Sequence, residues 1–411
     1  MLKADDLRKE FPIFTERKNL VYLDSASTTQ KPQIVIDTVS SYYSNYNANV
    51  HRALYQIGEK ATNEYEQVRE KVKKFLNVPN SHEVIFTRSS TESINLVAYS
   101  WGNSNINKEK GVLVSEMEHH SNLVPWQLTA NRTKSFINHI PLLEDGTLDL
   151  SSIDDVMNNI GLVALVHQSN VFGTINPILK IVNLAKSKGV ITLIDGAQSA
   201  PHFPVDLSEI DCDFYVFSGH KMVGPTGVGV LIGRKSLLEE MDPFLGGGEM
   251  INKVTLNSST WNDVPWKFEA GTPNIAQVIG LGAAIDFLNN IGLNKVQDHE
   301  EKLLQYGLES LSTIDGIILY GSPKNRGAVI PFNVKDIHSH DLAKFLDTDN
   351  ICIRAGHHCA QPIMDKLGIS ASARASFYLY NNTDDIDQLV KSIKNIKYFC
   401  MINTYFLIDS D

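Results

Sequence analysis

Short, almost uninterrupted apolar runs, each followed at once by a polar cluster, constrain this chain more than any other feature. The runs are Glu83-Val-Ile-Phe86, Val112-Leu-Val-Ser115, Leu162-Val-Ala-Leu-Val166, Val190-Ile-Thr-Leu-Ile194, Phe214-Tyr-Val-Phe217 and Val228-Gly-Val-Leu-Ile232. They lack the alternation of a strand with one wet face, so they read as strands buried on both sides. Helical stretches lie between them. Glu64 to Leu76 sets Val68, Val72, Phe75 and Leu76 on one face, and Ile178 to Lys188 ends in Lys-Gly, a natural helix stop. This β-α-β alternation predicts an α/β fold with a mainly parallel sheet covered by helices on both sides.

Beyond Gly271-Thr-Pro273 the texture changes. Two helices are expected at 275–290 and 295–311, then shorter strands at 317–320, 329–332, 352–354 and 373–377. At 411 residues the chain has room for two domains. We expect a large domain over 21–288 and a smaller α+β domain made of 1–20 and 289–411.

Ligands of open parallel sheets bind beyond the carboxyl ends of the strands. Five polar clusters fall there: Ser89-Ser-Thr-Glu92, Glu118-His-His120, His167-Gln-Ser-Asn170, Asp195-Gly-Ala-Gln198 and Ser218-Gly-His-Lys221. Singly, each is an ordinary cap or turn. Lys221 sits among small and apolar residues that can desolvate its amine and make it nucleophilic. Asp195 ends a buried strand and needs a cationic partner, which a protonated pyridine nitrogen would supply. Ser90 and Thr91 precede a helix, a natural phosphate site. Amine, carboxylate and phosphate cradle are together what pyridoxal 5′-phosphate (PLP) requires.

At this point the chain resembles the class V aminotransferase family, and within it the type II, SufS-like cysteine desulfurases. The likeness runs from about Phe11 to about Val390. It is carried by Ser218-Gly-His-Lys-Met-Val-Gly-Pro-Thr226, Glu118-His-His-Ser-Asn122, Arg354-Ala-Gly-His-His-Cys-Ala-Gln-Pro362 and Ala373-Arg-Ala-Ser-Phe-Tyr378. The resemblance implies the PLP-dependent aminotransferase fold (fold type I), with a seven-stranded sheet. It also implies that Lys221 binds the cofactor covalently, Asp195 pairs with its ring nitrogen and Gln198 meets its ring oxygen. His119 would stack on the ring and act as acid or base, with Asn170 near the ring oxygen and the substrate carboxylate. Ser90, Thr91, Ser218 and His220 would hold the phosphate, joined by Thr272 from a second subunit of a homodimer. Arg374 would clamp the substrate carboxylate, with Arg354 nearby. The family's usual Arg-Gly-Thr-Thr-Glu reads Arg88-Ser-Ser-Thr-Glu92 here, so Ser89 puts a Cβ where glycine freedom is expected.

The chain has four cysteines, Cys212, Cys352, Cys359 and Cys400, too few and too scattered for a disulfide scaffold. Three sit in apolar strand contexts or in the tail. Cys359 instead lies in a polar, Gly-containing loop beside Arg354, His357 and His358. Cationic neighbours and exposure favour a reactive thiolate there. The resemblance makes it the sulfur acceptor: L-cysteine gives L-alanine and a persulfide on Cys359, destined for iron-sulfur cluster assembly through a small SufE-like or SufU-like carrier. His338 and His340 read either as ordinary surface histidines or as a contact for a carrier's zinc. Selenocysteine lyase is the alternative activity, and a plain aminotransferase or kynureninase-like enzyme the second. No metal ligand set is expected.

The net charge of −10 argues against a nucleic-acid partner. The apolar runs are strand-length and the charged N-terminus lacks an apolar core, so neither a membrane span nor a signal peptide is expected. A cytoplasmic enzyme is the simplest expectation. The apolar tail from Tyr398 to Ile408 is expected to pack on the surface or at a subunit contact.

Overall fold

The computed structural model describes residues 2–322 and 324–408, with side chains as far as Ile396. The tail expectation for 398–408, and Cys400, lie outside the described side chains.

The six apolar runs all form strands of one seven-stranded sheet. Across it the order is His82–Thr87, Gly229–Arg234, Phe214–Ser218, Ile191–Asp195, Ile160–Val166, Gly111–Ser115 and Ile137–Ile140. All neighbours are parallel except Gly229–Arg234, which runs antiparallel to both of its partners. Phe214 and Val216 enter the apolar cluster on one face, while Tyr215 and Phe217 enter the cluster on the other. Both faces are dry, which is why these strands do not alternate in sequence. Each fully buried large apolar side chain here contributes roughly 1.5–3 kcal/mol of transfer free energy.

The seventh strand, Ile137–Ile140, was not anticipated. It is an edge strand that reads Ile-Asn-His-Ile and is only partly buried, so it carries no apolar run.

Helix Ile275–Ile291 turns at Gly292, with φ +89°, into helix Leu293–Ser312. A four-stranded antiparallel sheet follows: Ile317–Leu319, Val329–Val334, Ser372–Ser376 and Arg354–Gly356. Its own core joins Leu303, Phe332, Leu342, Ala375 and Ile386. Val21–Tyr22 pairs in parallel with Ile351–Cys352, and Asp24 bridges to Ser376. The segment Val21 to Asp24 is thus tied to the smaller sheet's side of the molecule.

From Asp24 to Lys31 the chain forms a strap across the ends of both sheets. Ala26 N–H donates to Ser376 Oγ, and the Ala26 carbonyl accepts from Gln198 Nε2. Thr28 Oγ1, Thr29 N and Lys31 Nζ all donate to the His220 carbonyl. Burial pushes the Lys31 amine down to about 7.

Candidate active site

The strand ends and the smaller sheet close on a cavity of about 220 Å³. Its lining includes Ser90, Thr91, His119, Asn170, Asp195, Gln198, Ser218, His220, Lys221, Arg354, Cys359 and Arg374. Every site residue expected from the sequence is therefore brought together except Thr272, which is exposed and does not line it.

Lys221 closes the short turn Gly219–Lys221 directly after strand Phe214–Ser218. Burial holds its amine below the ordinary lysine range, opposed by Asp195 and reinforced by Arg374. Asp195 is the last residue of its strand and is 3% exposed. Burial raises its carboxyl, while the Ala197 N–H at 3.0 Å and Lys221 pull it back. A carboxylate this deep, bonded through one oxygen, suits a cationic ring nitrogen as its counter-charge.

The phosphate end is built from hydroxyls. Ser90 N and Ser90 Oγ lie 2.8 and 2.6 Å from Ser218 Oγ, and Thr91 Oγ1 lies 2.7 Å from Ser121 Oγ. All sit at the N-terminus of helix Ser90–Val97, whose unpaired N–H groups favour an anion. The helix begins at Ser90 itself, earlier than the sequence suggested. Ser89 brings no strain: its backbone is extended, with φ −174°, and its hydroxyl caps the helix by accepting from Glu92 N. Glycine is needed instead at Gly229, for space: a Cβ there would lie 2.4 Å from the Ser89 backbone.

His119 is held by the residue before it. The Glu118 carboxyl, buried and pushed up to about 8, accepts from Asn122 Nδ2 at 2.6 Å and Val166 N at 3.1 Å, and lies 2.5 Å from Ser115 Oγ. It ties the turn to two strand ends. His119 Nδ1 accepts from Ser121 N, which leaves the proton on Nε2. Burial, then Lys221, His120 and Arg374, depress the imidazole to about 3, so His119 is neutral near pH 7.

Cys359 is exposed at the mouth of the cavity and adopts φ +55°, following His358 at +53°. Two strand-end turns of the large sheet pin this left-handed pair. His120 N donates to the Cys359 carbonyl at 2.7 Å, and Asn170 Nδ2 donates to the His358 carbonyl at 2.7 Å. The His120 ring accepts from Gln361 N at 3.1 Å. His358 turns inward onto Ser372 Oγ, and burial depresses it to about 3. The other described cysteines differ: Cys212 is buried with its thiol pushed far up, and Cys352 is half-buried.

Arg374 stands opposite Arg354 in the register of the smaller sheet. Its Nη1 donates to the Asn170 carbonyl at 2.8 Å, and its Nη2 to Ser27 Oγ at 2.8 Å and Asp24 Oδ1 at 3.1 Å.

The buried polar atoms of the cavity wall that have no hydrogen-bond partner among the described residues include Gln198 Oε1, Asn170 Oδ1 and Arg374 Nε. Buried polar atoms are rarely left so. They are the amide and guanidinium groups expected to face a cofactor ring oxygen and an amino-acid carboxylate. With the Lys221 amine, the Asp195 carboxylate and the hydroxyl cluster, the donor set fits PLP.

The sequence reading missed Asp24, Ser27 and His120. Asp24 follows a two-residue strand too short to announce itself, and His120 was visible only as part of the Glu118-His-His120 motif.

The family model described as aminotransferase class-V matches residues 21–389. A Halalkalibacterium halodurans protein named probable cysteine desulfurase is 49% identical over 402 residues, 97% of this chain and 99% of the relative. A Staphylococcus epidermidis protein of the same name is 50% identical over 396 residues, 95% of this chain and 96% of the relative. Among solved structures, the cysteine desulfurase CsdA of Escherichia coli aligns with a TM-score of 0.90 at 36% identity, covering 97% of this chain and 99% of that one. A cysteine desulfurase from Thermococcus onnurineus NA1 aligns with a TM-score of 0.92 at 36% identity, covering 96% and 98%.

Proposed function

Because the chain belongs to the class-V aminotransferase family and is a PLP-dependent cysteine desulfurase of fold type I, we propose that Lys221, His119 and Cys359 carry its reaction on L-cysteine. The bound cofactor supplies an electron sink for charge developing on the substrate α-carbon. The observation that carries the proposal is the convergence of Lys221, Asp195 and Cys359 on one cavity wall.

Lys221, kept below the ordinary lysine range by burial, takes the substrate α-proton on Nζ. Asp195 would keep the ring nitrogen of the bound cofactor protonated. The Cys359 thiolate attacks the substrate sulfur: an S–S bond forms, the substrate C–S bond breaks, and its electron pair stays with the carbon fragment that becomes L-alanine. The sulfur remains on Cys359 as a persulfide. His119 is a weak base because burial keeps it neutral, so its role is hydrogen-bond donation through Nε2. Ser90, Thr91, Ser218 and His220 would hold the phosphate, Gln198 and Asn170 would meet the ring oxygen, and Arg374, with Arg354 opposite it in the sheet, would orient the substrate carboxylate.

Cysteine desulfurases use L-cysteine and commonly dimerise. A homodimer here would cover Leu54, 94% exposed, and Leu256, 104% exposed. The segments bearing them are joined by the Arg52–Glu249 ion pair. Thr272 stands in a loop whose start is anchored by Glu269 on Arg69 Nη1 and Phe86 N, and from there it would reach the partner's phosphate.

A persulfide on an exposed loop suits hand-over to a small carrier, SufU-like or SufE-like, for iron-sulfur cluster assembly. The His340 ring lies beside Gly356, the strand end that leads into that loop, which favours a contact with the carrier over an incidental surface position. No single described helix is long and apolar enough to cross a membrane. The three described cysteines are unbridged, which favours a cytoplasmic setting. The proposal is tested by following L-alanine and sulfide from L-cysteine in Lys221→Ala and Cys359→Ala proteins. Loss of both products in the first, and loss of sulfur release in the second, is expected. Normal sulfide release by Cys359→Ala overturns the acceptor assignment.

A further inference from the structure

Asp24 has a role that neither the fold nor the reaction assigns to it. The Arg374 guanidinium is fully buried, and three of its contacts fix it from behind: the Asn170 carbonyl on Nη1, and Ser27 Oγ and Asp24 Oδ1 on Nη2. Nε is left without a partner among the described residues, on a side chain that lines the cavity. Asp24 Oδ1 also accepts from Ser27 Oγ at 2.7 Å, so Asp24 and Ser27 form one acceptor pair around Nη2. Asp24 Oδ2 lies 3.8 Å from Arg354 Nη1. One carboxylate is thus shared between the buried guanidinium and the exposed one that begins the strand leading toward Cys359.

Two consequences follow from the charges. The guanidinium plane is set before any ligand arrives, so little side-chain freedom is lost on binding. A ligand carboxylate held by Arg374 must also approach a carboxylate already bonded to it, and like charges in a buried setting repel. The repulsion acts equally on any amino acid in the site. It raises no barrier to the chemistry, but it loosens substrate and product alike, as uniform binding effects do.

We infer that Asp24 sets the strength of the carboxylate clamp, orienting Arg374 by its position and weakening the grip by its charge so that L-alanine leaves readily. This inference rests on the reading of Arg374 as the carboxylate clamp. Asp24 is a positioning and affinity-tuning residue, and the acceptor chemistry does not pass through it.

The test is inhibition of the PLP-loaded enzyme by L-alanine, with kcat and KM for L-cysteine measured beside it. Asp24→Asn keeps an oxygen for Arg374 Nη2 and Ser27 while removing the charge. L-Alanine inhibition should tighten about tenfold, a change of 1.4 kcal/mol. KM for L-cysteine should fall in parallel, and kcat should not rise. A merely structural role would loosen binding, not tighten it. Unchanged or weaker L-alanine inhibition in Asp24→Asn overturns the inference.

If Asp24→Asn does not fold or load cofactor, Ser27→Ala serves instead. It keeps the charge but removes the second acceptor on Nη2. L-Alanine inhibition should then weaken several-fold, and an unchanged value overturns the inference. Arg374→Lys separates this idea from the reading beneath it. If Arg374→Lys leaves L-alanine inhibition and KM untouched, the clamp reading fails. If Arg374→Lys weakens both while Asp24→Asn fails to tighten them, only the role of Asp24 fails.

Discussion

The backbone N–H of His120 donates to the carbonyl of Cys359 across 2.7 Å. This bond joins the turn that carries His119 to the loop that carries the exposed thiol. The ring of His120 adds a second tie by accepting from Gln361 N. The loop after the smaller sheet's strand Arg354–Gly356 is therefore registered against the rim of the large sheet by the residue next to His119.

His120→Ala keeps the backbone bond and removes the ring contact. One neutral hydrogen bond is worth about 0.5–1.5 kcal/mol. Sulfur delivery to a thiol acceptor should fall several-fold while the cofactor absorption spectrum and KM for L-cysteine stay near normal. Parallel assays of persulfide formation and PLP absorbance check this, and equal loss of both would show a general collapse of the site.

Gly229→Ala should act on the phosphate end from a distance. Its Cβ would lie 2.4 Å from the Ser89 backbone, so the loop before helix Ser90–Val97 must shift. Overpacking of this kind costs about 1–3 kcal/mol. PLP affinity of the apoprotein should drop, measured by fluorescence titration, and an affinity equal to wild type contradicts the placement of the phosphate.

Lys221→Ala should lose the near-visible absorption of the bound cofactor and cut the rate by 10²–10⁴, the usual worth of a positioned general base. Added amines of small size should restore part of the rate. A variant that keeps both the absorption and the turnover would move the role of Lys221 to another group.

Acid should destabilise the cofactor-free protein through its buried histidines. His119 and His358 are held to about 3, and His167 and His220 to about 4. The unfolded chain binds these protons near pH 6.5, before the folded one does, so stability is complete above that pH. It is lost as pH falls from about 6.5 toward about 3. Urea unfolding between pH 7.5 and 4.5 should show this slope, and His119→Gln should flatten it.

The large sheet was legible because its strands are dry on both faces. Phe214 to Phe217 is apolar at every position since neighbouring side chains enter opposite cores. The polar residue after each strand then marked the rim, and all of Ser90, His119, Asn170, Asp195 and Lys221 line one cavity. The edge strand Ile137–Ile140 was not legible, because three of its four residues are only partly buried or exposed. The strap from Asp24 to Lys31 was hidden for a different reason. Its work is done by backbone groups, hydroxyls, one amine and one carboxylate meeting residues some 170 to 350 positions away, such as Gln198 on Ala26 and Arg374 on Asp24. No local pattern encodes such pairings. The concern over Ser89 came from family comparison of a residue type, and the extended backbone there removes it.

The most direct measurement is peptide mass spectrometry of the PLP-loaded protein after brief exposure to L-cysteine without an acceptor. The account predicts one added sulfur atom on the peptide that contains Cys359, with the peptides of Cys212 and Cys352 unchanged. Sulfur found on another cysteine, or sulfide released with no sulfur ever bound to Cys359, would contradict it.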